Sequence, residues 1–301
     1  MERKPLITAP WLRIILFLVS LLGIFLLFNF LIANLLGSAK GEQASDGMAV
    51  VLRNLDKSGY ILPLVASAAA SFITVYIFRK WVDKRSITSL GFDFSRHRAS
   101  AATGFFLGLL LLGLGTFVLL ASRLLQWEDM QFNAGRLFTD AVLLLLFAVG
   151  EEMVFRGYVL NNLLQVADKW VALLISAALF ALFHINNPGI NGLPLLNIFL
   201  AGLMLGLNYI YTKNLWFGIL LHFSWNFYMG CILGYKVSGL PFQSLFQQTL
   251  SGSTILTGGS FGFEGSVIGS VLYMLAILGI GWVYKRKLPK LQVQETIKRE
   301  A

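Results

Sequence analysis

Charged residues and cysteine are both scarce in this chain of 301 residues. Only 13% of the residues are charged, against roughly one quarter in a soluble domain, whereas 56% are hydrophobic. This composition excludes an ordinary soluble protein and indicates an integral membrane protein. A single cysteine, Cys231, excludes an intrachain disulfide framework. No basic groove with interleaved aromatic residues is visible, so we expect no nucleic-acid partner despite the net charge of +9.

Long uncharged runs predict an all-α bundle of about eight transmembrane helices in one membrane domain, 1–301. The runs 14–39, 58–78 and 99–122 are each long enough to cross about 30 Å of hydrocarbon, and a fourth span begins near Leu137. The run 170–212 is too long for one helix, and its Asn, Pro and Gly residues at 185–194 predict a break into two spans. The last two candidates are 214–235 and 265–284. Between them, the segment 236–264 is interpreted as a flexible connection, with a substrate-facing lid as the alternative.

The distribution of basic residues predicts how these spans are oriented. With both termini in the cytoplasm, eighteen of the 24 Lys and Arg residues, including Arg13 and Arg156, fall on the cytoplasmic side. The six on the outer side are Lys40, Arg53, Lys57, Arg123, Arg136 and Lys236. Because cytoplasmic loops collect positive charge, eight spans with both termini inside are favoured, in the plasma membrane. The net positive charge then faces the headgroups of the lipid bilayer.

Three charged residues interrupt the apolar run of the fourth span. Each costs about 2.5–3.5 kcal/mol at the centre of a membrane, so Glu151, Glu152 and Arg156 should be paired, hydrated or functional. Glu152 and Arg156 have i, i+4 spacing with the acid first, which favours an intrahelical ion pair. Glu151 points about 100° away around the helix and is left free for general acid–base work.

Polar side chains of later spans are predicted to meet Glu151. A turn just before the fifth span places Glu151 and His184 at similar depths, roughly 24 and 26 Å along antiparallel helices. Phe180, one helical turn before His184, can pack its ring on the imidazole. His222 and Asn226 share one face of the seventh span, and a second hairpin brings them towards the same cavity.

Each of these features also has a simpler explanation. A lone intramembrane His or Asn often only bonds a neighbouring helix, and the Gly202–Gly206 pair is more readily explained by close packing. The complete set exceeds what helix association requires, which favours a functional site. Two other classes of function remain as alternatives: a transporter or proton pathway, and a non-catalytic immunity or binding protein of the membrane.

Three motifs resemble those of the CPBP intramembrane proteases, the family that contains CAAX prenyl endopeptidases and bacteriocin-processing or immunity-associated proteins. EEMVFRG resembles the EExxxR motif, FALFH resembles FxxxH, and HFSWN resembles HxxxN, all in the order of the family. They span 151–226, within a catalytic core predicted at about 137–235. The resemblance implies hydrolysis of a peptide bond in a membrane-associated or prenylated peptide or protein.

The resemblance also implies roles for the motif residues. Glu151, helped by His184, would activate a water molecule, while His222 and Asn226 would stabilise the oxyanion; the glutamate–arginine pair would hold the first motif in shape. The family has been described both as metalloproteases and as metal-free, glutamate-dependent enzymes. Because no HExxH motif is present, we expect no cofactor; the alternative is a zinc ion bound by Glu151, His184 and His222.

Overall fold

The fold is a bundle of helices that follows the predicted spans. The computed structural model describes residues 4–38 and 61–300, with side chains for all of them except 35–38 and 287–300. The long helices of these ranges are α1 (Pro10–Ser38), α2 (Ile61–Ile77), α3 (Arg98–Ala121), α4 (Ala134–Glu152), α5 (Lys169–Phe183), α6 (Gly192–Thr212), α7 (Trp216–Phe227) and α8 (Val267–Glu300). Ala39 and Ser58, at the ends of the first two predicted spans, lie outside the described residues, as do Lys40, Arg53 and Lys57 of the outer basic set.

Five helical segments of the described chain are long and apolar enough to cross a membrane. They are Pro10–Asn34, Ile61–Val82, Arg98–Ala121, Gly192–Thr212 and Val267–Arg286. The other three helices, with the residues just after them, carry the motif residues: α4 contains several charged side chains, and α5 and α7 have only 15 and 12 residues. A crossing α-helix needs about 20 apolar residues, so length and composition alone do not identify these three as spans. The chain is an integral membrane protein.

Three of the helices continue into wider π-helical segments. These segments are Phe78–Val82 after α2, Met153–Leu160 after α4, and Tyr228–Ile232 after α7. The segment after α4 begins directly beyond Glu152, and Ser176 of α5 donates a hydrogen bond of 3.0 Å to the carbonyl of Phe155 within it. Such π-helical insertions are frequent at functional sites. A sequence read only for α-helical periodicity gives no sign of them.

The two predicted hairpins are present. Asp168 caps α5 by accepting a hydrogen bond from the backbone N–H of Trp170, and Lys213 ends α6 in the left-handed conformation with φ 53°. The glycine pair of α6 serves packing, since a Cβ on Gly202 would lie 3.0 Å from Ala177 of α5. Helices α4 to α7 therefore form two antiparallel pairs that face one another.

The prediction of an all-α fold omitted a two-stranded antiparallel sheet. Strand β1 (Leu125–Met130) pairs with β2 (Phe246–Leu250), with Leu125 opposite Leu250. Alternation of apolar and polar residues extends over only four residues of β1, LQWE, and is absent from β2, FQQTL, so these runs are weak strand signals and their partners lie far apart in sequence. The rest of 236–264 contains the one-turn helix Thr254–Thr257 and the 3₁₀ turns Gly259–Phe261 and Phe263–Gly265. The segment interpreted as a flexible connection thus has defined structure.

A buried group of charges joins α1, the end of α2 and the π-helical segment after α4. Asp83 lies 3.0 Å from Arg13 and 2.7 Å from Arg79, and the Tyr158 hydroxyl donates to it at 3.4 Å. We call Arg13, Arg79, Asp83 and Tyr158 the inner ionic cluster, because they lie at the end of the bundle where the basic connections 83–97 and 213–215 meet. Arg13 is therefore buried and paired within the bundle.

Candidate active site

The predicted ion pair between the second glutamate and the arginine is present. Arg156 Nη1 donates to Glu152 Oε1 at 2.8 Å, and both side chains are almost completely buried. Arg156 Nη2 donates to the carbonyl of Gly202 at 3.0 Å, and its guanidinium lies 4.6 Å above the Phe180 ring. The positive charge therefore has three partners from three helices, which offsets the cost of burying it.

Glu152 also holds His222, a contact that the sequence analysis missed. His222 Nδ1 lies 3.2 Å from Glu152 Oε1, and because an ionised carboxylate only accepts hydrogen bonds, Nδ1 carries the proton. Gly218, one helical turn before His222, makes room for this contact: a Cβ there would lie 2.6 Å from Glu152 Oε2. Glu152 thus fixes both the arginine and the orientation of one imidazole ring.

Glu151 lies between two imidazole rings. Its Oε1 is 3.8 Å from His184 Nε2, and its Oε2 is 3.6 Å from His222 Nε2. These separations exceed a direct hydrogen bond and suit groups that share a water molecule. His184 Nδ1 lies 2.8 Å from the carbonyl oxygen of Phe180, which can only accept, so a neutral His184 ring presents a lone pair at Nε2 towards Glu151.

The site opens into a cavity of about 580 Å³. Glu151, His184, His222 and Asn226 all line it, so the structure brings together the four predicted catalytic residues. Its apolar wall includes Leu21 and Phe25 of α1, Leu64 of α2, Phe147 of α4, and Leu182 and Phe183 of α5. Among the described residues, none from the connections 83–97, 164–168 and 213–215 lines the cavity; the non-helical part of its wall comes from the connections at the other end of the bundle.

Phe180 packs on His184, as predicted, and also contacts His222. Its ring centroid lies 4.6 Å from that of His184 and 6.2 Å from that of His222. With the guanidinium of Arg156 on the same ring, Phe180 separates the buried ion pair from the cavity.

Glu264 is a further acidic residue of the cavity, and it is not among the predicted site residues. Only 4% of its surface is exposed, and its carboxylate accepts hydrogen bonds from Trp225 Nε1 at 3.1 Å and from the backbone N–H of Ser238 at 2.7 Å. Burial raises the pKa of Glu264, and the hydrogen bonds from Ser238 oppose that rise. A lone acid within the apolar stretch FGFEG was the only sign of this residue in the sequence.

Glu151, His184 and His222 are chemically acceptable zinc ligands. In the part of the chain that the structure describes, however, no group of three His, Cys, Asp or Glu side chains is arranged to hold a metal ion. The reaction steps proposed for this site use protein groups and water.

Comparison with known families supports the resemblance carried by the three motifs. Residues 133–228 match the family model described as Type II CAAX prenyl endopeptidase Rce1-like. The matched segment covers α4 to α7 and contains the four predicted catalytic residues, whereas Glu264 lies beyond it. No curated protein and no solved structure matches the chain. At the level of the family, the match indicates a CAAX protease-type hydrolase with a peptide or protein substrate at the membrane.

Proposed function

We propose that this CAAX protease-type chain is an intramembrane endopeptidase that hydrolyses a peptide bond by means of water activated by Glu151. Its substrate would be a membrane-associated or prenylated peptide or protein. The observation that carries the proposal is that two adjacent carboxylates have different contacts. Glu152 is occupied by Arg156 and His222, whereas Glu151 faces two imidazole rings across gaps of 3.8 and 3.6 Å at the wall of a cavity.

The first step is attack by water. Glu151 removes one proton from the water molecule while the water oxygen forms a bond to the carbonyl carbon of the substrate. The lone pair of His184 Nε2 accepts a hydrogen bond from the second O–H and orients the molecule. A positioned general base of this kind contributes about 10²- to 10⁴-fold to the rate.

The second step is the collapse of the tetrahedral intermediate. Asn226 donates through its amide, and His222, when protonated, donates through Nε2 to the oxyanion, while Glu152 stabilises that protonated ring through Nδ1. The oxyanion re-forms the carbonyl, the C–N bond breaks, and the proton held by Glu151 passes to the departing amine. The new carboxylic acid then releases its proton to solvent.

We place these residues in a catalytic core of about 137–235 within a single membrane domain. The core needs no cofactor in the mechanism proposed here. The rival zinc mechanism would use Glu151, His184 and His222 as ligands, and removal of metal separates the two, as described in the Discussion.

We further propose that the chain crosses the plasma membrane eight times with both termini in the cytoplasm. The supporting observations are the concentration of basic residues at one end of the bundle and the eight long helices of the described residues, which overlap the eight predicted spans. With this orientation the cavity lies nearer the outer side, because the connections at that end form part of its wall.

Cysteine labelling tests this orientation. In a Cys231→Ser background, Ser95→Cys marks an inner connection and Gln131→Cys marks an exposed outer one. A membrane-impermeant maleimide added to intact cells should label the protein with Gln131→Cys, and should label the one with Ser95→Cys only after permeabilisation. The reverse pattern would contradict the proposed orientation.

The function is tested in liposomes that contain wild type, Glu151→Gln or His184→Ala. Cleavage is followed with a library of fluorescence-quenched membrane peptides, with and without a prenyl group, and ion flux is recorded on the same preparations. We expect both substitutions to abolish cleavage without changing flux. Cleavage that persists in Glu151→Gln would contradict the assignment of Glu151 as the catalytic base. An ion flux that requires Glu151 would favour the alternative function as a transporter or proton pathway.

A further inference from the structure

The outer wall of the cavity contains a tight turn at 237–240. Val237 and Leu240 exchange two backbone hydrogen bonds of 2.9 and 2.8 Å, and the central residues Ser238 and Gly239 have φ values of 48° and 87°. Two successive positive φ values define a type I′ turn. Serine rarely adopts the left-handed conformation, so contacts outside the turn must hold it there. Val237, Ser238 and Leu240 all line the cavity.

The backbone N–H, the hydroxyl and the carbonyl of Ser238 each form a hydrogen bond that holds the residue in place. Its backbone N–H and its hydroxyl both donate to Glu264 Oε2, at 2.7 and 3.0 Å. Its carbonyl accepts from Asn187 Nδ2 at 3.1 Å, and Asn187 follows His184 by three residues in the connection after α5. The turn is thus joined to the segment that begins at a proposed catalytic histidine.

The other oxygen of Glu264 reaches α7. Oε1 accepts from Trp225 Nε1 at 3.1 Å, and Trp225 directly precedes Asn226. The backbone of Glu264 is fixed as well, because Asn197 of α6 donates to its carbonyl at 2.6 Å and to that of Ser266 at 2.8 Å. One buried carboxylate therefore links the turn to the helix that carries two of the proposed catalytic residues.

We infer that Glu264 is a positioning residue that holds the 237–240 turn as a fixed wall of the catalytic cavity and thereby determines how tightly substrate binds. The inference rests on the proposed function, and Glu264 lies outside the segment 133–228 that matches the family model. Glu264 acts through the turn and through Trp225. The oxygens of its carboxylate are already occupied by these donors, so it takes no part in the chemical step.

The placement is tested by hydrogen exchange on the full-length protein in detergent. In wild type the amide of Ser238 should be protected, because its N–H is bonded to a buried carboxylate. Glu264→Gln keeps the size of the side chain but leaves one neutral carbonyl oxygen for the three donors that the carboxylate accepts from, so the bonds to Ser238 weaken and amides at 236–240 should exchange at least tenfold faster. The matched control Glu128→Gln, an exposed acid on β1, should leave exchange at 236–240 unchanged. Equal protection in wild type and Glu264→Gln would overturn the inference.

The effect on substrate is tested with a peptide that the wild type cleaves. Glu264→Gln should raise KM about tenfold or more and leave kcat within about twofold, since the wall moves while Glu151 keeps its surroundings. Ser238→Gly removes the hydroxyl donor, keeps the N–H and suits a positive φ, so it should raise KM by a smaller factor. A fall in kcat with unchanged KM in both variants would overturn the role.

Ser238→Gly also carries the test if Glu264→Gln fails to fold, since the glycine removes one hydrogen bond and relieves the backbone. In that case unchanged exchange and unchanged KM in Ser238→Gly would overturn the inference. Absence of cleavage by wild type would contradict the proposed function instead, and the exchange measurement would still decide whether Glu264 holds the wall.

Discussion

Two groups of buried charges, the inner ionic cluster and the candidate active site, lie on neighbouring parts of the same bundle and differ in how their carboxylates are used. In the inner ionic cluster, Asp83 has an arginine on each oxygen, at 3.0 and 2.7 Å. In the active site, Oε1 of Glu152 is held by Arg156 and His222, whereas Glu151 has no arginine or lysine in direct contact. The Oε2 atoms of both glutamates lack a hydrogen-bond partner among the described residues, but of the two only Glu151 lines the cavity.

The cavity accounts for this difference. Glu151 lines it, whereas no member of the inner ionic cluster does. A carboxylate saturated by arginines has little acceptor capacity left for a water molecule, so Asp83 serves to join helices. A carboxylate flanked by histidines at a cavity wall keeps that capacity, which a general base requires. Burial of charge alone therefore does not identify the catalytic residue; incomplete pairing beside a cavity does.

The largest effect is expected from Glu151→Gln. Because it removes the base and keeps the shape, kcat for peptide cleavage should fall about 10³-fold, while the thermal unfolding midpoint in detergent stays within a few degrees of wild type. Steady-state cleavage and a melting curve on the same sample check both parts. A large drop in stability with activity retained in the folded fraction would make Glu151 a structural residue like Asp83.

The opposite pattern is expected from Asp83→Asn. Removing the negative charge leaves Arg13 and Arg79 buried without a counter-charge, which should cost about 3–5 kcal/mol of unfolding free energy. The folded fraction should keep the kcat of wild type. Denaturation in mixed detergent micelles measures the loss, with Asp93→Asn, an exposed acid of the same connection, as the control. A stable but inactive Asp83→Asn variant would show that the inner ionic cluster acts on catalysis.

Gly218→Ala probes the junction of the second carboxylate with His222. Its methyl group would lie 2.6 Å from Glu152 Oε2, so Glu152 must move and His222 loses its partner. We expect kcat/KM to fall on the order of tenfold, about what one charged hydrogen bond is worth. Gly113→Ala in α3 is the control, since a Cβ at Gly113 meets no atom within 4 Å. Equal activity of the two variants would mean that the contact between Glu152 and His222 is dispensable.

Metal removal should have the smallest effect. Rigorous demetallation, verified by elemental analysis of the purified protein, should leave cleavage at the wild-type rate because the proposed mechanism uses only protein side chains and water. Activity that is lost on demetallation and restored by zinc would instead assign Glu151, His184 and His222 as ligands.

The sequence by itself determined that the chain lies in a lipid bilayer, where its helices fall, and which residues form the motifs. Uncharged runs located the helices because a chain in lipid must satisfy its backbone hydrogen bonds within each helix, which makes hydropathy a reliable guide. The i, i+4 spacing predicted the pair of Glu152 with Arg156, and the order of the motifs placed Glu151, His184 and His222 in one centre. These features depend on residues close together in sequence or on helices joined by short turns.

Tertiary structure alone decided the rest. The bond from Glu152 to His222, the π-helical segment 153–160, the β1–β2 pairing and the position of Glu264 all depend on contacts between residues distant in the sequence. Such contacts leave no periodic pattern in either partner, because each side chain is selected by a neighbour that the local sequence does not contain. Helix geometry was enough to predict that Glu151 is left out of the ion pair. The cavity wall at 237–240 is visible only in the packed bundle.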